Sequence, residues 1–133
     1  MNHEIIGGPL TLGNGTTLPL SKAVRAGDFI LLSGQLALGA DGQLVGSDIG
    51  AQTEQCIANI RDLLTEAGSG LADVIKATVW LVDRNDFRGF NTVYAQHFAT
   101  NPPIRSAVCS ALMLDGALVE IEVMAYQPRT ATA

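Results

Sequence analysis

Basic residues are scarce in this sequence. Lys and Arg number 8 against 13 Asp and Glu, a net charge of −5, and no run of Lys or Arg occurs. Such a balance repels polyphosphate, and the counterion release that drives nucleic-acid binding is small, so nucleic acid is not an expected partner. Cysteine is scarcer still. Cys56 and Cys109 form no CxxC pair and no metal-like cluster with His3 or His97. No metal and no disulfide framework is expected, and both thiols read as small buried apolar groups in a reducing compartment. No apolar run approaches membrane-spanning length. The opening MNHEIIGGPL lacks a basic segment followed by an apolar one, so a cytoplasmic location is expected. The P-loop, GxGxxG, HExxH and GxSxG patterns are all missing. Charge of either sign is low at 16%, against 47% hydrophobic residues. That leaves little charge to cover a monomer, and points to apolar surface buried between subunits.

What is present fits one domain, residues 1–133, with 127–133 (ending RTATA) as a frayed tail. Ser21 to Val24 and Phe29 to Leu38 read as strands around a Gly27-Asp28 turn. Ser33-Gly34-Gln35 interrupts the second, where glycine marks a bulge or a close approach to the backbone. Ser47 reads as the N-cap of a helix of about five turns. Its apolar positions are Ile49, Thr53, Cys56, Ile60, Leu63, Leu64 and Ala67, and Gly68 stops it. Asp73 to Asp83 is β-branched and apolar, with Ile75, Ala77, Val79 and Leu81 on the drier face. A second helix follows from DRNDF. Its stripe of Phe87, Phe90, Val93, Tyr94, His97 and Phe98 marks a core face, with His97 as a packed histidine, and Asn101-Pro102-Pro103 ends it. Residues 105–112 and 117–126 read as a closing hairpin around Asp115-Gly116. The order is β-β-α-β-α-β-β, an α+β fold with a mixed sheet and two helices on one face. The bare face is then solvated or covered by another subunit.

Charge interrupts that hairpin. Arg105 opens its first strand, and Glu120 and Glu122 share one face of the second, whose other face is the unbroken apolar series Ala117 to Ala125. A guanidinium grips a carboxylate with two parallel hydrogen bonds and never deprotonates. A glutamate orients water or moves a proton. The two need not pair directly across the strands, and one reading has them line one cleft at different depths. The plainer reading is a salt bridge at a strand end for Arg105 and a solvated charge for Glu122. Lys22, Arg25, Arg61, Lys76, Arg84 and Arg88 are scattered and read as ordinary surface.

AVRAGDFILLSGQLAL, IKATVWLVD, NPPIRSAV and ALVEIEVMAY, in this order from about Leu18 to Tyr126, closely resemble the Rid family. Its members are also called YjgF-like, reactive intermediate imine deaminases or L-PSP endoribonuclease-like proteins. The resemblance implies a chorismate-mutase-like fold and a homotrimer whose three sheets form a central barrel, with ligand clefts between subunits. It implies hydrolysis of a 2-imino acid, such as 2-iminobutanoate or 2-iminopropanoate, to a 2-keto acid and ammonium without a cofactor. Arg105 would bind the substrate carboxylate and Glu120 would position water, with Ser33, Gly34, Leu20, Asn91 and Ala107 at the substrate. Leu20 stands where many deaminating members carry Tyr. Ala107 stands where many carry Cys or Thr, the cysteine appearing instead at Cys109. The alternatives are a pathway-specific enamine deaminase of aminomuconate type, an endoribonuclease, or a non-catalytic trimer that binds small carboxylates.

Overall fold

A computed structural model describes residues 3–129. Six strands form one mixed sheet in the order β1 (Glu4–Ile6), β2 (Ala23–Ala26), β3 (Phe29–Leu32), β6 (Val119–Tyr126), β4 (Val74–Leu81), β5 (Ile104–Cys109). Helices α1 (Ile49–Glu66) and α2 (Phe87–Phe98) pack against one face of it. The expected α+β architecture is borne out, with the short strand β1 added at the edge. The strand expected at Ser21 to Val24 is shifted to Ala23–Ala26, and Gly27, at φ 61°, makes the turn into β3.

The α1 periodicity holds. Thr53, Cys56, Ile60, Leu63 and Leu64 are buried, with Ile57 and Gln52 beside them. The cap is Asp48 rather than Ser47: its carboxylate accepts the Ala51 amide at 2.8 Å, satisfying one of the helix's free donors. At the other end Gly68 takes φ +80°. The Ser69 amide reaches Leu64 O and the Gly68 amide reaches Thr65 O, the two bonds of a Schellman stop.

Three sequence expectations about strands are corrected. β3 ends at Leu32 rather than Leu38, and after Ser33-Gly34 only Gln35 returns to the sheet, bridging Ile121. In β4 a bulge between Val74 and Lys76 leaves Ile75 unpaired, so Val74 and not Ile75 joins buried Ala77, Val79 and Leu81. The third concerns the closing hairpin, which does not form. β5 lies parallel to β4 and β6 antiparallel to it, on β4's other side. Helix α2 connects β4 to β5, and a crossover through a helix returns the chain parallel. The buried face Ala117, Val119, Ile121, Val123 and Ala125 belongs at the sheet's centre. β5, with no buried residue, forms the edge.

Arg25 is also corrected. It is 6% exposed, not surface. Its Nη2 donates to Ala67 O at 3.1 Å, and its Nη1 donates to Gln127 O at 3.0 Å. The bond to the last turn of α1 also meets the negative end of the helix dipole. Gln127 and Arg129 are thus held in place, Arg129 through a Glu4 ion pair and the Asp28 carboxylate. The rest of the expected frayed tail, 130–133, lies outside the described residues.

Candidate functional site

Arg105 pairs with Ala77 across β4 and β5. Paired residues point to the same side of a sheet, and Ala77 is buried under the helices. Arg105 therefore faces α2. Its guanidinium carbon lies 4.9 Å from the Tyr94 ring centre and 5.6 Å from those of Phe87 and Phe90. Nη1 donates to Asn91 Oδ1 at 2.9 Å. These four partners come from α2 at helical spacing (87, 90, 91, 94), which gathers them on one flank. The platform holds the charge by cation–π attraction and uses one of five N–H donors. Among the described residues the other four have no partner. The charge is half-buried at the sheet edge, so its free donors can reach a ligand. Burial raises the Tyr94 phenol above its usual range, with Arg105 pulling it back.

Beside this platform is a pocket of about 240 Å³ lined by Leu81, Arg84, Phe87, Ala107, Val108 and Cys109. Cys109 is exposed, against the expectation of a buried thiol, because its strand is the sheet edge. Its Sγ donates to Val82 O at 3.3 Å. Cys56 is buried as expected, and desolvation first, then Glu120, pushes its thiol up to about 12.

Glu120 pairs with Trp80. Trp80 alternates with buried Val79 and Leu81, so Glu120 points away from the helices. In one chain, then, Arg105 and Glu120 stand on opposite faces of the sheet, two strands apart. The two do not share a cleft within a single chain. The cause is parity: their partners on β4, Ala77 and Trp80, are three residues apart, an odd step.

Glu120 has its own surroundings. A Cβ at Gly34 would overlap Glu120 Oε2, so the glycine that breaks β3 is the one that admits this carboxylate. Burial raises the Glu120 carboxyl above the usual carboxylate range, and the Glu122 charge adds to the shift. Ser33 Oγ donates to Ser21 O at 2.7 Å, and Gln35 Nε2 to Ser33 O at 2.9 Å, bonds that fix the turn through Gly34. Leu20, 40% exposed, joins Ser33 and Gly34 in lining a cavity of about 460 Å³.

The candidates thus form two half-sites. Arg105, Asn91 and Ala107 lie at the α2 edge, and Glu120, Gly34, Ser33 and Leu20 lie by the β3 break. The aromatic platform and Arg84 were not anticipated as site residues. Phe87, Phe90 and Tyr94 read as core, and their signal was the Asn91 placed among them. His97 is not a packed core histidine: its Nε2 meets Glu54 and its Nδ1 meets Arg61 at 3.1 Å, a polar clasp between the helices. Among the described residues no group of three metal-ligating side chains occurs, and no helix is long and apolar enough to cross a membrane.

The family model described as Endoribonuclease L-PSP matches residues 15–127. The 2-iminobutanoate/2-iminopropanoate deaminase of Bos taurus is 41% identical over 116 residues, 86% of this chain and 85% of its own. The crystal structure of yeast Mmf1 superposes with a TM-score of 0.84 at 32% identity, covering 94% of this chain and 98% of that one. That of RidA from the Antarctic bacterium Psychrobacter sp. PAMC 21119 gives 0.82 at 32% identity, covering 92% and 98%.

Proposed function

The chain belongs to the Rid family, the Endoribonuclease L-PSP family of the matching model, and from that premise we propose that it hydrolyses 2-imino acids to 2-keto acids and ammonium. The observation that carries this reading is Arg105. It is a guanidinium held flat on three rings, tied to Asn91 and otherwise free of protein partners among the described residues. Such a group suits a planar carboxylate. With the carboxylate held, the C=N carbon of the substrate is oriented for attack. Water adds to the carbon of the protonated imine, and Glu120 accepts the water's proton, which leaves a neutral carbinolamine. Glu120 returns that proton to the nitrogen, the C–N bond breaks, and the departing ammonia takes the hydroxyl proton as the keto C=O forms, leaving as ammonium. Burial raises the pKa of this carboxyl, which makes it a stronger proton acceptor than an ordinary carboxylate. The imine is intrinsically reactive, so positioning supplies most of the catalysis.

Because the two half-sites lie on opposite faces of one sheet, a substrate touching both needs a second copy of the chain. We propose a homotrimer in which the helix-free face, with Val24, Leu31, Met124, Trp80 and Val108, lines a shared interior. The relative from Bos taurus is named as a deaminase of the two smallest imino acids with a carbon side chain, and substrates of that class fit the reading. The acidic balance disfavours RNA. The free thiols suit a reducing compartment such as the cytoplasm.

A complementation experiment tests site and assembly together. Arg105→Ala and Glu120→Ala chains are each expected to be inactive on 2-iminobutanoate. Co-refolded, they should regain activity, because mixed oligomers rebuild some sites with Arg105 from one chain and Glu120 from another. No recovery from demonstrably mixed oligomers would refute the inter-subunit site. Full activity of either variant alone would remove that residue from the mechanism.

A further inference from the structure

If Arg105 takes the carboxylate of an imino acid, as the preceding reading has it, the rest of the substrate must lie in a definite direction. We propose that the 240 Å³ pocket beside Arg105 receives the substrate's side chain and that Arg84 binds a second acidic group at its end. The preferred substrates are then 2-imino acids carrying a second carboxylate beyond a short apolar stem.

The backbone aims the substrate there. Arg105, Ala107 and Cys109 share one side of β5 by strand alternation. At about 3.3 Å per residue, Ala107 stands about 7 Å along from Arg105 and Cys109 about twice that. Ala107 and Cys109 both line the pocket. So does Phe87, whose ring is also part of the Arg105 platform. The pocket therefore lies along the same face of β5 as Arg105 and shares Phe87 with its platform. Ala107 presents only a methyl group, which leaves the space between Arg105 and Cys109 unfilled.

The lining is apolar along its length and cationic at one place. Leu81, Phe87 and Ala107 offer no polar side-chain atom, Val108 turns its side chain to the other face of the sheet as the partner of Trp80, and the Cys109 thiol is engaged with Val82 O. Arg84 begins the short 3-10 turn Arg84–Asp86 that leads into α2. It is three residues before Phe87, and in a 3-10 turn residues three apart lie one above the other, which puts both side chains on the pocket's side. Among the described residues, no carboxylate lies within 4.0 Å of Arg84. The neighbouring Asp83 carboxylate caps this turn instead, accepting the Asn85 amide at 2.8 Å. A monocarboxylic substrate fills the pocket and leaves this guanidinium in water. A dicarboxylic one pairs both of its ends with arginine.

The test compares two imines generated in situ with catalase present: 2-iminoglutarate from L-glutamate and 2-imino-4-methylpentanoate from L-leucine. Each arises by a flavin oxidase that passes the electrons to O₂. Ammonium release above the uncatalysed rate is followed for wild type, Arg84→Leu and Arg84→Lys. The ratio of kcat/KM for the acidic over the apolar imine should fall about fivefold or more in Arg84→Leu, the factor that an exposed ion pair of ~1 kcal/mol gives. Arg84→Lys should fall between. An unchanged ratio overturns the proposal, as does a wild type that hydrolyses the apolar imine and ignores the acidic one. Hydrolysis of neither imine would instead defeat the deaminase reading. Calorimetric binding of glutarate against 4-methylpentanoate then decides Arg84 alone: a preference for glutarate that Arg84→Leu abolishes supports it, and equal affinities overturn it.

Discussion

Arg25 and Arg105 stand on the same, helix-covered side of the sheet, one on β2 and one on the opposite edge strand β5. They have opposite circumstances. Arg25 is 6% exposed and donates to Gly27 O, Gln127 O, Ala67 O and Gln127 Oε1. It stitches the end of α1, the β2–β3 turn and the segment after β6 into one unit. Arg105 is half-buried, lies on aromatic rings and has one side-chain acceptor, Asn91. A saturated guanidinium serves stability, since a buried donor or acceptor left alone is destabilising. A positioned but unsaturated one is available to a ligand. The two cannot be told apart by residue type.

The largest expected effect separates the two arginines directly. Arg105→Ala should lower kcat/KM for imine hydrolysis about 100-fold or more, the scale of losing a charge-assisted carboxylate clamp, while Tm stays close to wild type. Arg105→Lys should recover little, because a point charge lacks the planar fork. Arg25→Ala should do the reverse. It should lower stability by about 3 kcal/mol in denaturant unfolding, since the Ala67 and Gln127 acceptors lose their donor, with activity per folded molecule retained. A melting-point collapse in Arg105→Ala, or normal stability in Arg25→Ala, would break the contrast.

A smaller effect concerns the other half-site. In the proposed mechanism Glu120 acts as a carboxylate, and its pKa is raised above the ordinary 4.5 by burial first and Glu122 second. The acid limb of kcat/KM should therefore lie above pH 4.5, and Glu122→Gln should move it downward. A limb that ignores Glu122→Gln would remove that charge from the account. The stability sign follows from the same shift. A carboxyl whose folded pKa is raised favours the folded state in acid, and this contribution is lost as pH rises through the folded pKa. Glu120→Gln should thus raise Tm slightly at neutral pH while reducing activity.

The smallest effect is a matter of access. A thiol reagent under native conditions should label Cys109, exposed on the edge strand, and spare Cys56, whose burial holds its thiol near 12. Equal labelling of both would mean that α1 opens readily from the sheet.

Much of this fold was legible beforehand. The α1 stripe and its Gly68 stop, the Phe90, Tyr94 and Phe98 core of the α2 stripe (Phe87 is exposed), the apolar face of β6 and the break at Gly34 all depend on residues within one or two turns of one another. Periodicity and local backbone chemistry determine such features. The likeness to the Rid family rested on SGQ, PPIRS and VEIE in order, and it held because those segments are contiguous. Gly34 in particular announced a close approach, and the partner proved to be Glu120.

What the sequence left undetermined was every question of neighbours. Residues 105–112 and 117–126 looked like a hairpin because they are adjacent in the chain, yet β6 enters the sheet between β3 and β4. The bulge at Ile75 reversed the start of one strand's inside face. Arg25 turned inward because three acceptors distant in sequence converge on it, and Cys109 stayed exposed because its strand is an edge. Arg105 and Glu120 fell on opposite faces because register across β4 sets them an odd number of steps apart. Local patterns determine which side of its own element a residue takes. Only the packed sheet, where hydrogen-bond register joins segments far apart in the chain, decides what that side meets.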